Sequence, residues 1–178
     1  MISDMLLIAN ADNKSLLSTV EDVDLLKTIN NLVEFFSIAA EEKNIALCFV
    51  ENKNIPPIKG DALMMRRAIS NLLNNALQHT VAHATPQGKI NIFIENNIET
   101  KSVDIMVENC GEPIAAEHLP RLFDRFYRVN PARQSDGTNS GLGLAIVKSI
   151  MQAHEGQVFV ETSAHTNRFT LRFPVFES

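Results

Sequence analysis

Asp61-Ala-Leu-Met-Met65-Arg-Arg-Ala-Ile69-Ser-Asn71-Leu-Leu-Asn-Asn75-Ala-Leu-Gln78 is the stretch from which the fold can be read outward. Met65, Ile69, Leu72, Ala76 and Leu77 recur at helical spacing and predict one buried stripe. Asp61 supplies a carboxylate where the first free backbone amides need an acceptor. A second face collects Arg67, Asn71, Asn75 and Gln78. Asn71 and Asn75 stand one turn apart, so their amides project in the same direction. Asparagine is a mediocre helix former, yet Asn71, Asn74 and Asn75 crowd into one and a half turns. A solvated surface would account for any one of them; three together suggest a use.

On the N-terminal side, Leu25, Ile29, Leu32, Val33, Phe36 and Ala40 predict another amphipathic helix, capped by Asp24 and preceded by a short strand at Glu21–Asp24. Ile45 to Glu51 reads as a strand, and Pro56-Pro57 as a turn. Beyond the central stretch, Ile90, Ile92 and Ile94 alternate, then Val103, Ile105 and Val107, with Asn96–Lys101 joining them as a hairpin. Glu117–Phe123 suggests a short helix. Residues 129–140 are polar and aperiodic and read as a loop. Leu144, Ile146, Val147, Ile150 and Met151 rebuild a helix, and two strands close the chain at Val158/Val160 and Phe169/Leu171/Phe173. The expected fold is α+β: a two-layer α/β sandwich whose mixed, mostly antiparallel sheet has helices packed on one face. At the start, Ile2, Met5, Leu6 and Ala9 form an apolar stripe ending near Asn10–Asn13, as the tail of a longer helix would. The expected division is therefore 1–15, the end of a helical domain plus linker, and 16–178, the main domain.

The 178 residues are 45% hydrophobic and 21% charged, a globular balance. A net charge of -5 argues against nucleic acid as partner, because such binding rests on cationic contacts to phosphate. No apolar run reaches the roughly 20 residues of a membrane helix. Cys48 and Cys110 have no paired spacing and are expected as free thiols of a reducing compartment.

The chemistry sits in four blocks. Gly141-Leu-Gly143-Leu144 opens a helix, where free N–H groups and the dipole favour phosphate and glycine lets it approach. Loops of this kind are common, and the stretch is neither a P-loop nor a dinucleotide fingerprint. The amide oxygens of Asn71 and Asn75 are hard donors suited to Mg²⁺ beside phosphates. Asn109-Cys-Gly111 follows a strand, and its carbonyl could accept from an adenine amino group; a plain turn would look the same. Phe123 and Phe126 read as core anchors at a helix end. The five histidines show no metal-ligand spacing, and His79 alone continues the asparagine face.

In this order the blocks resemble the N, G1, F and G2 boxes of histidine-kinase ATP-binding domains, of the GHKL superfamily. Leu119-Pro-Arg-Leu-Phe-Asp-Arg-Phe-Tyr-Arg128 and Gly141-Leu-Gly-Leu-Ala-Ile-Val-Lys148 carry the likeness, which extends over roughly residues 20–175. Glu112-Pro-Ile-Ala-Ala-Glu-His-Leu-Pro120 and Ser149-Ile-Met-Gln-Ala-His-Glu-Gly156 are similar to the heavy-metal, copper/silver-sensing subgroup. Ser3–Asp12 resembles the end of the dimerisation domain that precedes the catalytic one.

The resemblance implies ATP and Mg²⁺ as cofactors. Asn75 would bind the metal and Asn71 would support phosphates and metal. Asn109 would hold the adenine amino group, with Gly111 admitting the base. Phe123 and Phe126 would anchor the lid over ATP. Gly137, Gly141 and Gly143 would shape the lid and the phosphate cradle, and Arg128 would reach the terminal phosphate. The binding surface would extend to Gln78, His79, Ile114, Ser140, Leu142 and Leu144. Asn71 and Arg128 would be the catalytic pair. Three positions depart from the family pattern: Asn109 replaces Asp, Pro113 replaces a glycine, and Gln78 stands where Lys or Arg is frequent. Asn167 occupies a place often held by Thr or Ser. ATP-hydrolysing relatives put a glutamate at the position of Asn71 as general base, and an amide cannot take that proton. The implied activity is therefore ATP-dependent phosphorylation of a histidine on a separate dimerisation domain, followed by passage to a response regulator, within the cytoplasmic part of a membrane sensor. The alternatives are a noncatalytic nucleotide- or partner-binding module and, third, a superfamily ATPase.

Overall fold

The structure is a computed structural model that describes residues 17–52, 54–81, 87–129 and 141–175. The expected boundary near residue 15 lies outside the described residues. Strand β1 (Glu21–Val23) leads into helix α1 (Leu25–Glu42), then β2 (Ile45–Val50), β3 (Ile58–Gly60) and helix α2 (Ala62–His79). The hairpin β4 (Gly88–Asn97) and β5 (Ser102–Cys110) follows, then helix α3 (Gly143–Ala153) and the hairpin β6 (Gln157–Thr162) and β7 (Thr166–Pro174). The main sheet runs β2-β4-β5-β7-β6, with β2 parallel to β4 and every other pair antiparallel. β1 and β3 form a separate antiparallel ribbon.

Period-two alternation builds the inner sheet face. Ile92, Val107 and Phe169 stand side by side in register, as do Ile94, Ile105 and Leu171, and all six are at most 4% exposed. The stripes of α1, α2 and α3 close over these rows. Leu25, Ile29, Leu32, Phe36 and Ala40 of α1 are buried, as are Met65, Ile69, Leu72, Ala76 and Leu77 of α2. Asp24 accepts from Lys27 N at 3.0 Å, and Asp61 accepts from Leu63 N at 3.0 Å and Met64 N at 3.1 Å, so both expected caps are made. The opposite sheet face is polar. Arg172 makes a forked pair with Asp104 and Arg168 one with Glu108. Their guanidinium groups lie over Phe159 and Phe93.

The segment expected as a helix over 117–123 is a 3-10 turn at Leu119–Arg121, with looser turns after it. Its amides bond three residues back: Arg121 N to His118 O at 3.0 Å, Asp124 N to Arg121 O at 2.9 Å, and Tyr127 N to Asp124 O at 3.3 Å. β3 went unread because three residues give no alternation to detect. Cys48 on β2 and Cys110 at the end of β5 are both free thiols, separated by β4. Among the described residues no helix is long and apolar enough to cross a membrane.

Candidate functional site

The C-terminal half of α2 runs between two glycines, each opposite a different part of the helix. At the first, α3 begins at Gly143 after Leu142, which provides no side-chain cap, and the first turn contains no acid. α1 and α2 are each capped by an aspartate; among the described residues no side chain caps the leading amides of α3. Among the described residues a Cβ on Gly143 would meet only Asn71, at 3.6 Å from its Oδ1. That is ordinary contact, so packing does not demand glycine there. The absence of a Cβ leaves the start of the helix facing the Asn71 amide. Asn71 and Asn75 are both half-buried, one turn apart on this side of α2, while Asn74 is exposed. Among the described residues no three His, Cys, Asp or Glu side chains gather to hold a metal. The donors present are amides and helix N–H groups, a set that fits phosphate oxygens and a hard cation such as Mg²⁺.

The second glycine, Gly111, lies just over two turns along α2 from Asn71, about 12 Å at the helical rise. A Cβ there would be 3.0 Å from His79 O, 3.1 Å from Asn109 Nδ2 and 3.3 Å from Asn167 Nδ2. A side chain at 111 would be tight against these neighbours, which would have to give by a few tenths of an ångström. Below this glycine the inner sheet face turns polar. Asn109, Asn167 and Thr162 stand in one register row across β5, β7 and β6, continuing outward from Ile90. Asn109 is 2% exposed, and its Nδ2 donates to Cys110 O at 3.1 Å. This bond fixes the rotation of the carboxamide, because its oxygen could not face that carbonyl. Oδ1 is thereby left as the acceptor, the atom an adenine amino group needs.

The expected lid anchors divide. Phe123 is half-buried and packs edge-on against Phe169, with centroids 6.4 Å apart. Phe126 is 60% exposed and is not a core anchor. Its role in the fold is carried by the backbone. Phe126 N donates to Gly141 O at 3.0 Å, and a Cβ on Gly141 would lie 3.1 Å from Phe126 Cα. Both residues have positive φ, 62° and 68°, which glycine adopts readily and phenylalanine does not. The two ends of the 127–140 stretch are thus tied together. Gly137 and Ser140 lie outside the described residues. Arg128 is half-buried, Gln78 and His79 are exposed at the end of α2, Ile114 and Leu144 are half-buried against the core, and Leu142 is buried.

Sequence reasoning missed two groups. Thr162 joins Asn167 in holding the Gly111–Ile114 segment, a link visible only once β6 and β7 are paired. His154, for which the sequence offered no partner, is a buried structural hub: its Nε2 accepts from Asp61 N at 3.0 Å and its Nδ1 donates to Ile150 O at 2.8 Å. Burial holds its pKa below the ordinary imidazole value, against the opposing pull of the Ile150 carbonyl and the Asp61 charge. Burial pushes the Asp61 carboxyl up, but hydrogen bonds from Met64, Ser18 and Thr19 outweigh it and hold the group below its usual range. A shallow groove of about 260 Å³ lined by Lys148, Gln152, Gly156 and Phe159, among others, lies toward the far end of α3 and shares no residue with this site.

The chain matches the family described as histidine kinase-, DNA gyrase B- and HSP90-like ATPase over residues 60–177. It is 47% identical to the sensor histidine kinase CusS of Escherichia coli (strain K12) over 174 residues, covering 98% of this chain and 35% of that protein. It is 45% identical to the probable sensor kinase SilS of Salmonella typhimurium over 180 residues, covering 99% of this chain and 35% of that protein. The chain thus spans about a third of the length of these relatives. Among solved structures, the catalytic domain of histidine kinase ThkA superposes with a TM-score of 0.73 at 25% identity, covering 88% of this chain and 95% of that one. Full-length ShkA, in complex with AMPPNP, has the same fold, with a TM-score of 0.82 at 24% identity over 99% of this chain and 35% of that one. The relatives it resembles over nearly its whole length are sensor kinases, and this chain belongs to the histidine kinase-, DNA gyrase B- and HSP90-like ATPase family.

Proposed function

We propose that the chain binds Mg-ATP between α2, the start of α3 and the Gly111 loop, and presents its terminal phosphate to a histidine on the dimerisation domain of the same kinase. The observation that carries this reading is that Asn71 faces the start of α3 at Gly143, where no described side chain caps the helix. Asn75 holds the metal and Asn71 steadies the phosphates and the metal. Bound Mg²⁺ would neutralise charge shared between phosphate oxygens. The amides of Gly143 and Leu144 donate to phosphate at the positive end of the helix dipole. Asn109 accepts from the adenine amino group, and Ile114 and Phe123 give the base end its apolar contacts. Asn71 cannot serve as a general base, so water is not activated there and the bound nucleotide is kept for an incoming histidine. Arg128 would stabilise charge on the transferred phosphoryl group. Gly137 and Ser140 belong to the lid. The phosphate then passes to a response regulator, in a cytoplasmic signalling unit responding to a heavy metal such as copper or silver; similarity to CusS and SilS supports that setting.

Calorimetric titration with ADP and AMPPNP, with and without Mg²⁺, tests the reading. Wild type should bind in a magnesium-dependent manner. Asn75→Ala should weaken binding roughly tenfold or more, the loss of one charge-assisted contact, with its unfolding midpoint unchanged, since Asn75 lies off the buried stripe. Added to a separate histidine-bearing dimerisation domain, wild type should then generate acid-labile, base-stable phosphate. Well-folded wild type that binds neither nucleotide would favour a noncatalytic partner-binding module. Rapid hydrolysis of Mg-ATP by the domain alone would overturn the role given to Asn71.

A further inference from the structure

The segment Gly111–Ile114 is fastened to the β6–β7 hairpin by a continuous chain of hydrogen bonds. Ile114 N donates to Thr162 Oγ1 at 3.0 Å, and Thr162 Oγ1 donates to Asn167 Oδ1 at 2.7 Å. Asn167 Nδ2 donates to Glu112 O at 2.9 Å, and Gly111 N donates to His165 O at 3.0 Å. Each atom has one consistent role. The threonine hydroxyl spends its single proton on Asn167 and its lone pair on Ile114. Asn167 cannot be flipped, because its oxygen would then face the Glu112 carbonyl. At 5% exposure, with both amide atoms engaged, Asn167 acts through the loop rather than on a ligand. The two anchored groups, Glu112 O and Ile114 N, flank Pro113, whose ring fixes φ between them. A threonine or serine at 167 is too short to reach both partners.

We propose that Asn167 and Thr162 are positioning residues for the base end of the nucleotide site, setting the Gly111–Ile114 loop beside Asn109 before nucleotide arrives. The inference rests on the nucleotide-binding reading above. Asn109 is a neutral acceptor and so a weaker one than a carboxylate. A loop already held in its binding shape offsets this, because less ordering remains to be done on binding.

Amide hydrogen exchange and ADP titration on the full chain test the proposal together, with Thr162→Val, Thr162→Ser and Asn167→Asp. Ile114 N–H should be protected in wild type and exchange faster in Thr162→Val, which keeps the shape of threonine without the hydroxyl. ADP affinity should fall roughly five- to tenfold in Thr162→Val, the worth of about one net hydrogen bond. Thr162→Ser should restore both, and unfolding midpoints should stay near wild type. Asn167→Asp keeps the acceptor for Thr162 but turns a second oxygen toward Glu112 O, so it should resemble Thr162→Val. Unprotected Ile114 in wild type overturns the clamp directly. Faster exchange with unchanged ADP affinity shows a clamp without a positioning role. Wild type that shows the exchange pattern but binds no ADP overturns the nucleotide reading, and this inference with it.

Discussion

At the scale of single residues, Gly111 and Gly143 show how one residue type serves two ends of a site for different reasons. Gly111 is enclosed by a backbone carbonyl and two side-chain amides, so an added methyl crowds all three. Gly111→Ala should cost about 1–3 kcal/mol of stability by overpacking, read as a lower midpoint in urea, and should weaken ADP as well. Among the described residues Gly143 has only Asn71 within reach, in ordinary contact. Gly143→Ala should leave stability unchanged or raise it by up to about 0.5 kcal/mol, since alanine is the better helix former, while weakening ADP. Equal losses of stability in the two variants would show that Gly143 is held by packing after all. The sequence displayed both glycines as members of motifs. It could not show that one is crowded by its neighbours and the other is not, because that depends on which residues α2 and β7 bring alongside.

At the scale of elements, what could be read from the chain was whatever repeats. The stripes of α1, α2 and α3 and the alternation of β4, β5 and β7 are each long enough to declare a period, and those elements formed where expected. Asp24 and Asp61 marked helix starts because capping acts within three residues. The failures fall where the determinant is distant or brief. β3 is too short to alternate, and Phe126 kept the spacing of a core anchor but points outward because its backbone turns through positive φ to meet Gly141. Asn109 and Gly111 were legible as a motif; the row that joins Asn109 to Asn167 and Thr162 depends on register between strands remote in sequence. Register also creates the outer face of the sheet. Asp104 is 8% exposed, and Arg172 reaches it across the β5–β7 pair with its closest contact at 2.6 Å. The Asp104 hydrogen bond raises the Arg172 pKa further, against a smaller opposing effect of burial. Arg172→Met would leave that carboxylate without its cation and should cost about 2 kcal/mol in a denaturant titration. Pairing Arg172→Met with Asp104→Leu should recover much of the loss. If the double variant were no better than the single one, packing of Arg172 on Phe159, not charge, would be what matters.

At the scale of the molecule, His154 and Asp61 join three parts that are far apart in the chain. Asp61 Oδ2 accepts from Ser18 N at 3.0 Å and Ser18 Oγ at 2.9 Å, while Oδ1 caps α2. His154, at the end of α3, accepts the Asp61 amide and lies edge-on to Phe173 of β7, with centroids 5.9 Å apart. The segment at Ser18, the start of α2 and the end of α3 therefore meet at one buried pair. Its geometry requires neutral imidazole, because Nε2 must keep its lone pair and Nδ1 its proton. The folded pKa of His154 is lowered, so the unfolded chain binds a proton more readily. Stability from this group is complete above the ordinary value near 6.5 and is lost as pH falls from there through the lower folded value. Asp61, also lowered, holds its contribution above 3.8 and loses it only in stronger acid. Of these two groups, the histidine begins to lose its contribution first as pH falls. Thermal stability of wild type should hold level down to about pH 7 and weaken from there to about pH 5. His154→Gln should start lower at the upper pH, having lost a fitted buried ring, but should change much less across the same interval. Parallel slopes for the two proteins would place the acid sensitivity elsewhere and leave His154 a packing residue only.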